Sequence, residues 1–143
     1  MNTNPIVVEQ LFDTKLETLW AAITQQENMQ QWLFAEIQSF QPSVNFETEF
    51  TVSVEGKDFV HHWKVLEVIP FTKLVYQWRY KHFPGDSSVS WLLTEEQGKT
   101  RLLFTHCGHE TITGDELFSY EHGLAGWHYL IQERLKTFLQ SKI

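Results

Sequence analysis

The chain has a single cysteine, Cys107, so it can close no internal disulfide, and a lone thiol fits a reducing, cytoplasmic setting. No stretch reaches the roughly eighteen consecutive apolar residues that a membrane-spanning helix requires. The amino-terminal Met1-Asn2-Thr3-Asn4-Pro5 carries no basic segment ahead of an apolar run, so no secretory signal is expected. Basic residues are scarce: eleven Lys and Arg stand against eighteen Asp and Glu, a net charge of −7. Nucleic-acid binding depends on Lys and Arg neutralising phosphates, so neither DNA nor RNA is expected as a partner.

Catalytic signatures are missing as well. The sequence has no Gly-x-Ser-x-Gly elbow, phosphate-binding loop or dinucleotide fingerprint. Seven histidines are present, but no Cys pair or His-x-x-x-His spacing places them as zinc ligands. His61 and His62 are neighbours on a strand and point to opposite faces. His122 and His128, six apart on a helix, do not converge. No metal or other cofactor is expected. Cys107 beside His106 is an inert thiol on this reading, because neighbours on a strand face opposite ways. Glu47 and Glu49 share the wet face of their strand and are solubilising.

Aromatic side chains are abundant: eleven Phe, six Trp and four Tyr in 143 residues. A chain of this length is most simply one domain, 1–143, with a substantial core. The rings fill that core, line a pocket, or do both.

The pattern along the chain is strand, two short helices, a run of strands, and a long helix. Ile6–Phe12 reads as the first strand. Thr14 and Glu17 have capping-box spacing, and Leu16, Leu19, Trp20 and Ile23 follow on one helical face. Residues 28–33 read as a second helix, with Met29, Trp32 and Leu33 turned inward. In 46–54, Phe46, Phe50, Val52 and Val54 alternate with polar residues, giving one buried and one wet face. Glu55-Gly56-Lys57 and Gln97-Gly98 read as turns. Strands are expected over 59–69, 73–80, around Val89, Trp91 and Leu93, and over 100–106; short turns between sequential strands indicate an antiparallel meander. Thr113 and Glu116 have the spacing of a second capping box, ahead of a helix expected from about Thr113 or Tyr120 to about Ser141. Its apolar stripe is Tyr120, Leu124, Trp127, Ile131, Leu135 and Phe138. Gly123 and Gly126 interrupt this helix, where glycine costs about 1 kcal/mol relative to alanine. They either bend it or let it approach the sheet.

Several segments together resemble the activator-of-heat-shock-protein-90-ATPase homologue (AHSA-type) family. They are Phe12-Asp13-Thr14-Lys15-Leu16-Glu17-Thr18-Leu19-Trp20 with Trp32, Val65-Leu66-Glu67-Val68-Ile69-Pro70, Leu74-Val75-Tyr76-Gln77-Trp78, Thr100-Arg101-Leu102-Leu103-Phe104-Thr105-His106 with Gly108, and Gly126-Trp127. The family belongs to the START-like, birch-pollen-allergen-like (SRPBCC) superfamily. The resemblance implies an α+β helix-grip fold: a curved antiparallel sheet wrapped around a long C-terminal helix, with two short helices after the first strand. It also implies an apolar cavity between sheet and helix. Trp63 departs from the glycine common in relatives, and its ring is expected to shrink that cavity.

An empty apolar void costs about 24 cal/mol per Å³, so ~300 Å³ of it would cost about 7 kcal/mol. The space is therefore filled by side chains, water or a ligand. The residues expected to line it are Phe50, Val52, Tyr76, Trp78, Trp91, Phe104, His106, Trp127 and Ile131. The competing expectation is that they simply pack as core. The leading expected function is non-catalytic binding of a small hydrophobic or aromatic ligand by a monomer or weak homodimer. The family name implies an alternative, a co-chaperone-like contact with a heat-shock protein 90 homologue. The superfamily's cyclases and hydrolases imply a third, with His106 as general base in the pocket.

Overall fold

The structure, a computed structural model, describes residues 3–142. The strands are β1 (Ile6–Phe12), β2 (Glu47–Val54), β3 (Lys57–Ile69), β4 (Lys73–Tyr80), β5 (Ser87–Glu96) and β6 (Lys99–Cys107). Two helices follow β1: α1 (Leu16–Thr24) and α2 (Gln26–Trp32). After β6 come two 3₁₀ turns, His109–Thr111 and Glu116–Phe118. The chain then ends in a continuous helical run: α3 (Tyr120–His128), a π-helical stretch (Tyr129–Leu135) and α4 (Lys136–Gln140).

The strands form one six-stranded sheet ordered β1-β6-β5-β4-β3-β2, with every neighbouring pair antiparallel. β2 to β6 make the expected meander, and β1 closes onto β6. Glu55 and Gly56 both have positive φ, as do Gln97 and Gly98. Two consecutive left-handed residues make the tight turn whose twist matches that of the flanking strands. In β3 the register slips between Val65 and Glu67, a bulge that leaves Leu66 exposed and bends the strand.

Pairing register builds rows of inward side chains across the sheet. One row is Phe50–His61–Tyr80, and the next is Thr48–Trp63–Trp78–Ser87. Deeper rows carry Val65–Tyr76–Val89–His106–Ile6 and Leu74–Trp91–Phe104–Val8. Trp127, Ile131, Leu135 and Phe138 of the C-terminal helical run are buried in the same core. The α1–α2 corner is tied by the Trp32 indole N–H, which donates to the Ala22 carbonyl at 2.8 Å.

Both expected capping boxes are absent. The residue preceding α1 is Lys15, with no side-chain cap. Thr14 is drawn away because its carbonyl accepts the Thr100 hydroxyl at 2.9 Å, which ties this turn to β6. α3 starts at Tyr120, the later of the two expected starts, and Ser119 Oγ accepts the His122 backbone N–H at 3.2 Å. The intervening residues are taken up by the turn Glu116–Phe118, which Asp115 caps by accepting the Leu117 N–H. α2 begins at Gln26, ahead of the expected Asn28, and Asn28 instead bonds back to the Ala21 carbonyl at 3.1 Å.

The glycines of α3 differ in what surrounds them. A Cβ on Gly123 would sit 2.9 Å from Ile6 Cδ1, so this is where the helix comes down on β1. A Cβ on Gly126 would meet nothing within 4 Å. Gly126 therefore faces open space.

Candidate functional site

That open space is a cavity of about 320 Å³ that opens to solvent between the sheet and α3. Its sheet wall is Val52, Val54, Phe59, His61, Trp78, Tyr80 and His106. Its helix wall is His122, Gly123, Gly126, Trp127 and Leu130. Phe34, which follows α2, and Ile112, Leu117 and Phe118, which precede α3, close the sides. The cavity covers the β2–β3–β4 end of the sheet, where the row Phe50–His61–Tyr80 lies.

Val52, Trp78, His106 and Trp127, among the residues named from sequence, border this space. Phe50, Tyr76, Trp91, Phe104 and Ile131 lie in the packed core beside it. Trp63 explains part of the division. Its ring sits 4.8 Å from Phe50, 4.6 Å from Tyr76 and 5.1 Å from Trp78, centroid to centroid, and fills the interior there. Trp91 and Phe104 pack edge-on and tilted against Trp127, with the Phe104 ring centroid at 4.1 Å. Strand alternation says which side chains face the helix. It does not say where along the strand the helix leaves a gap.

His106 sits in a directed hydrogen-bond chain. An indole nitrogen only donates, so Trp127 Nε1–H donates to His106 Nδ1 at 3.3 Å. His106 is then the Nε2–H tautomer and donates to Ser87 Oγ at 2.9 Å. Ser87 donates to the Trp78 carbonyl at 2.7 Å. Burial, with His109 nearby, pushes the His106 pKa down to about 3, so the ring is neutral. Both nitrogens are engaged, which leaves no lone pair for a general base. Cys107 is exposed on the opposite face. Glu47 and Glu49 lie on the wet face, beside His62 and Lys81.

His61 was not among the residues singled out as site residues. Its ring stacks on Phe50 at 4.9 Å and lies 4.7 Å from Tyr80. Nδ1–H donates to the Phe59 carbonyl at 3.1 Å. Burial lowers its pKa to about 4, against a small opposing effect of that carbonyl. The sequence held a signal: position 61 has the same inward parity as Phe59 and Trp63, so the buried member of the His61-His62 pair was readable.

The Tyr80 hydroxyl is also neutral, its pKa pushed up to about 12 by burial and slightly countered by the nearby Trp78 N–H. Burial raises the Tyr76 hydroxyl likewise. Tyr76 Oη and Trp91 Nε1 lie near each other without completing a hydrogen bond of standard geometry. Among the described residues, no Lys, Arg, Asp or Glu lines the cavity. Among the described residues no group of three or more His, Cys, Asp or Glu converges as a metal site. No helix among them is long and apolar enough to cross a membrane.

A curved meander holding a long C-terminal helix, with an aromatic-walled space between, defines a START-like helix-grip protein. Within that class, the chain belongs to the family described as "Activator of Hsp90 ATPase homolog 1-like protein", whose model matches residues 13–140. A Mesorhizobium loti protein of known crystal structure is 26% identical and superposes with a TM-score of 0.77, over 98% of this chain and 99% of that one. A Rhizobium loti protein is 19% identical with a TM-score of 0.82, over 95% and 96% of the two chains. A Bacillus halodurans protein is 23% identical with a TM-score of 0.73, over 95% and 96%. The latter two likenesses speak to the fold alone. No curated protein matches the chain.

Proposed function

We propose that this protein binds a small, largely aromatic molecule in the cavity between sheet and helix, without catalysing a reaction on it. The observation that carries this is a pocket of about 320 Å³ with mostly apolar walls and a few neutral polar groups. It lies at the low end of the roughly 300–1,000 Å³ typical of small-molecule sites. An apolar cavity of about 150 Å³ holds benzene, so twice that space suits two fused rings. Phe59, Tyr80, Trp78, Phe118 and Trp127 offer faces and edges, and each well-placed aromatic pair adds about 0.5–1.5 kcal/mol beyond area burial.

The test is native mass spectrometry of the purified protein, with thermal melts against a panel of bicyclic aromatics. A ligand at 100 times its dissociation constant adds about 2.7 kcal/mol, which raises the melting temperature by several degrees. Gly126→Leu, which sends a side chain into the cavity, should fold and lose that response. If no compound raises the melting temperature and nothing co-purifies, the reading is wrong.

The family's description favours a second reading, contact with a heat-shock protein 90 homologue. Leu66, Ile69 and Phe71 are exposed at the far end of β3 and its turn, as a contact face would require. A pull-down with the cognate chaperone and an ATPase assay decide it; no binding at micromolar concentration removes it.

A further inference from the structure

We infer that the cavity selects a neutral aromatic ligand bearing one hydrogen-bond donor, a phenolic O–H or a heteroaromatic N–H, and that Nε2 of His61 is the acceptor. The inference rests on the ligand-binding reading above and gives that ligand a chemistry.

His61 is only 4% exposed and is enclosed by Phe34, Phe50, Trp78 and Tyr80. Its tautomer follows from its partner. The Phe59 carbonyl can only accept, so the ring proton is on Nδ1. Burial keeps the imidazole neutral, which leaves a lone pair on Nε2. No hydrogen bond among the described residues reaches Nε2, and the residue lines the cavity. Nε2 is not sealed in the core but meets the solvent-open cavity. A ligand that displaces solvent from this atom and donates to it keeps it paired; an isostere without the donor strands it, at a cost on the order of 1–3 kcal/mol.

The other wall histidines are committed elsewhere, and the buried, unpartnered Trp78 Nε1–H on the same wall can only donate. His106 has both nitrogens committed to Trp127 and Ser87. His109 Nε2–H donates to the Asn4 carbonyl at 2.7 Å. His122 Nδ1 is engaged by Ser119 Oγ at 2.8 Å, at the exposed start of α3. Charge is excluded from the ligand by the lining itself. With no Lys or Arg on the walls, a carboxylate would lose its hydration without gaining a counter-charge. Protonating His61 to supply one would work against its burial. A ligand amine finds no carboxylate either. The aromatic requirement follows from Phe34, Trp78 and Tyr80, whose rings surround His61 and also line the cavity.

The experiment is calorimetric titration of the intact protein with 2-naphthol, 2-methoxynaphthalene, naphthalene and 2-naphthoate at pH 7.5, repeated with His61→Phe. The net worth of one hydrogen bond predicts that 2-naphthol binds about tenfold more tightly than 2-methoxynaphthalene or naphthalene, with 2-naphthoate weakest. In His61→Phe that preference should fall to within about threefold while naphthalene binding is retained. Nitrogen-15 spectra of the wild-type imidazoles supply a readout independent of any variant: 2-naphthol should move the His61 Nε2 resonance and 2-methoxynaphthalene should not. Equal binding of 2-naphthol and 2-methoxynaphthalene overturns donor recognition and leaves the apolar-cavity reading standing. Tightest binding by 2-naphthoate overturns it as well. If none of the four binds, the cavity reading itself fails for bicyclic aromatics, and this inference fails with it.

Discussion

His61 and His106 are buried and neutral, and this makes the stability of the protein depend on pH in a defined window. Burial lowers their pKa values to about 4 and about 3. In the unfolded chain both return to about 6.5. Between those limits the unfolded state binds protons that the folded state refuses, so stability falls as pH falls. Each histidine contributes a slope of up to about 1.4 kcal/mol per pH unit. From pH 7 to pH 5 the pair should cost about 4 kcal/mol together, and above pH 7 it should cost nothing further. Urea denaturation at the two pH values measures the loss, and His61→Phe should remove about half of it. Equal stability at pH 5 and pH 7 would show that these rings are not held neutral. The His106 chain also accounts for a tryptophan that periodicity placed correctly: Trp127 is held by its N–H as well as by its ring.

The C-terminal helical run carries two glycines whose roles separate in the structure. At Gly123 the helix lies against β1, and an added methyl would press on Ile6. At Gly126 an added methyl meets only the cavity. Gly126→Ala should therefore stabilise by up to about 1 kcal/mol through helix propensity alone. Gly123→Ala should gain less or lose, because Ile6 must shift. Thermal melts of the two variants test this, and a destabilised Gly126→Ala would contradict an open space at that position. The π-helical stretch has a matching rationale. Trp127, Ile131 and Leu135 are spaced by four, and at 3.6 residues per turn each such step overshoots by about 40°. The wider winding over Tyr129–Leu135 counters that drift and keeps the stripe on the sheet. The spacing was visible in the sequence, but the winding was not. The capping boxes failed for a similar reason: Thr14 and Glu17 had the right spacing, yet a bond from Thr100, distant in sequence, took the Thr14 carbonyl.

For the molecule as a whole, the architecture was legible because it rests on local signals that agree with one another. The alternation in 46–54, the turns at Glu55-Gly56 and Gln97-Gly98, and the late apolar stripe each specify one element, and only a meander holding a helix satisfies them all. The cavity was legible only in part. Val52, Trp78, His106 and Trp127 border it, whereas Phe50 and Tyr76 are sealed by Trp63. That outcome depends on how rings from four strands interlock, and no single segment records it.

Beside the cavity, the β2–β3 hairpin and the segment before α3 are fastened together by residues far apart in the chain. Lys57, in the β2–β3 hairpin, pairs with Asp115, in the segment before α3, at 3.0 Å. Phe118 packs from that same segment onto Phe59, Tyr80 and Phe83. The ring contact persists in salt, whereas the ion pair at the surface is screened by it. If the proposed guest widens the mouth of the cavity by parting these two edges on entry, it parts them again on leaving. Added salt should therefore hasten arrival and departure together and leave occupancy at equilibrium nearly unchanged. Stopped-flow quenching of tryptophan fluorescence by a bound aromatic would show the two rates rising in parallel, and Asp115→Asn should already show them raised at low salt.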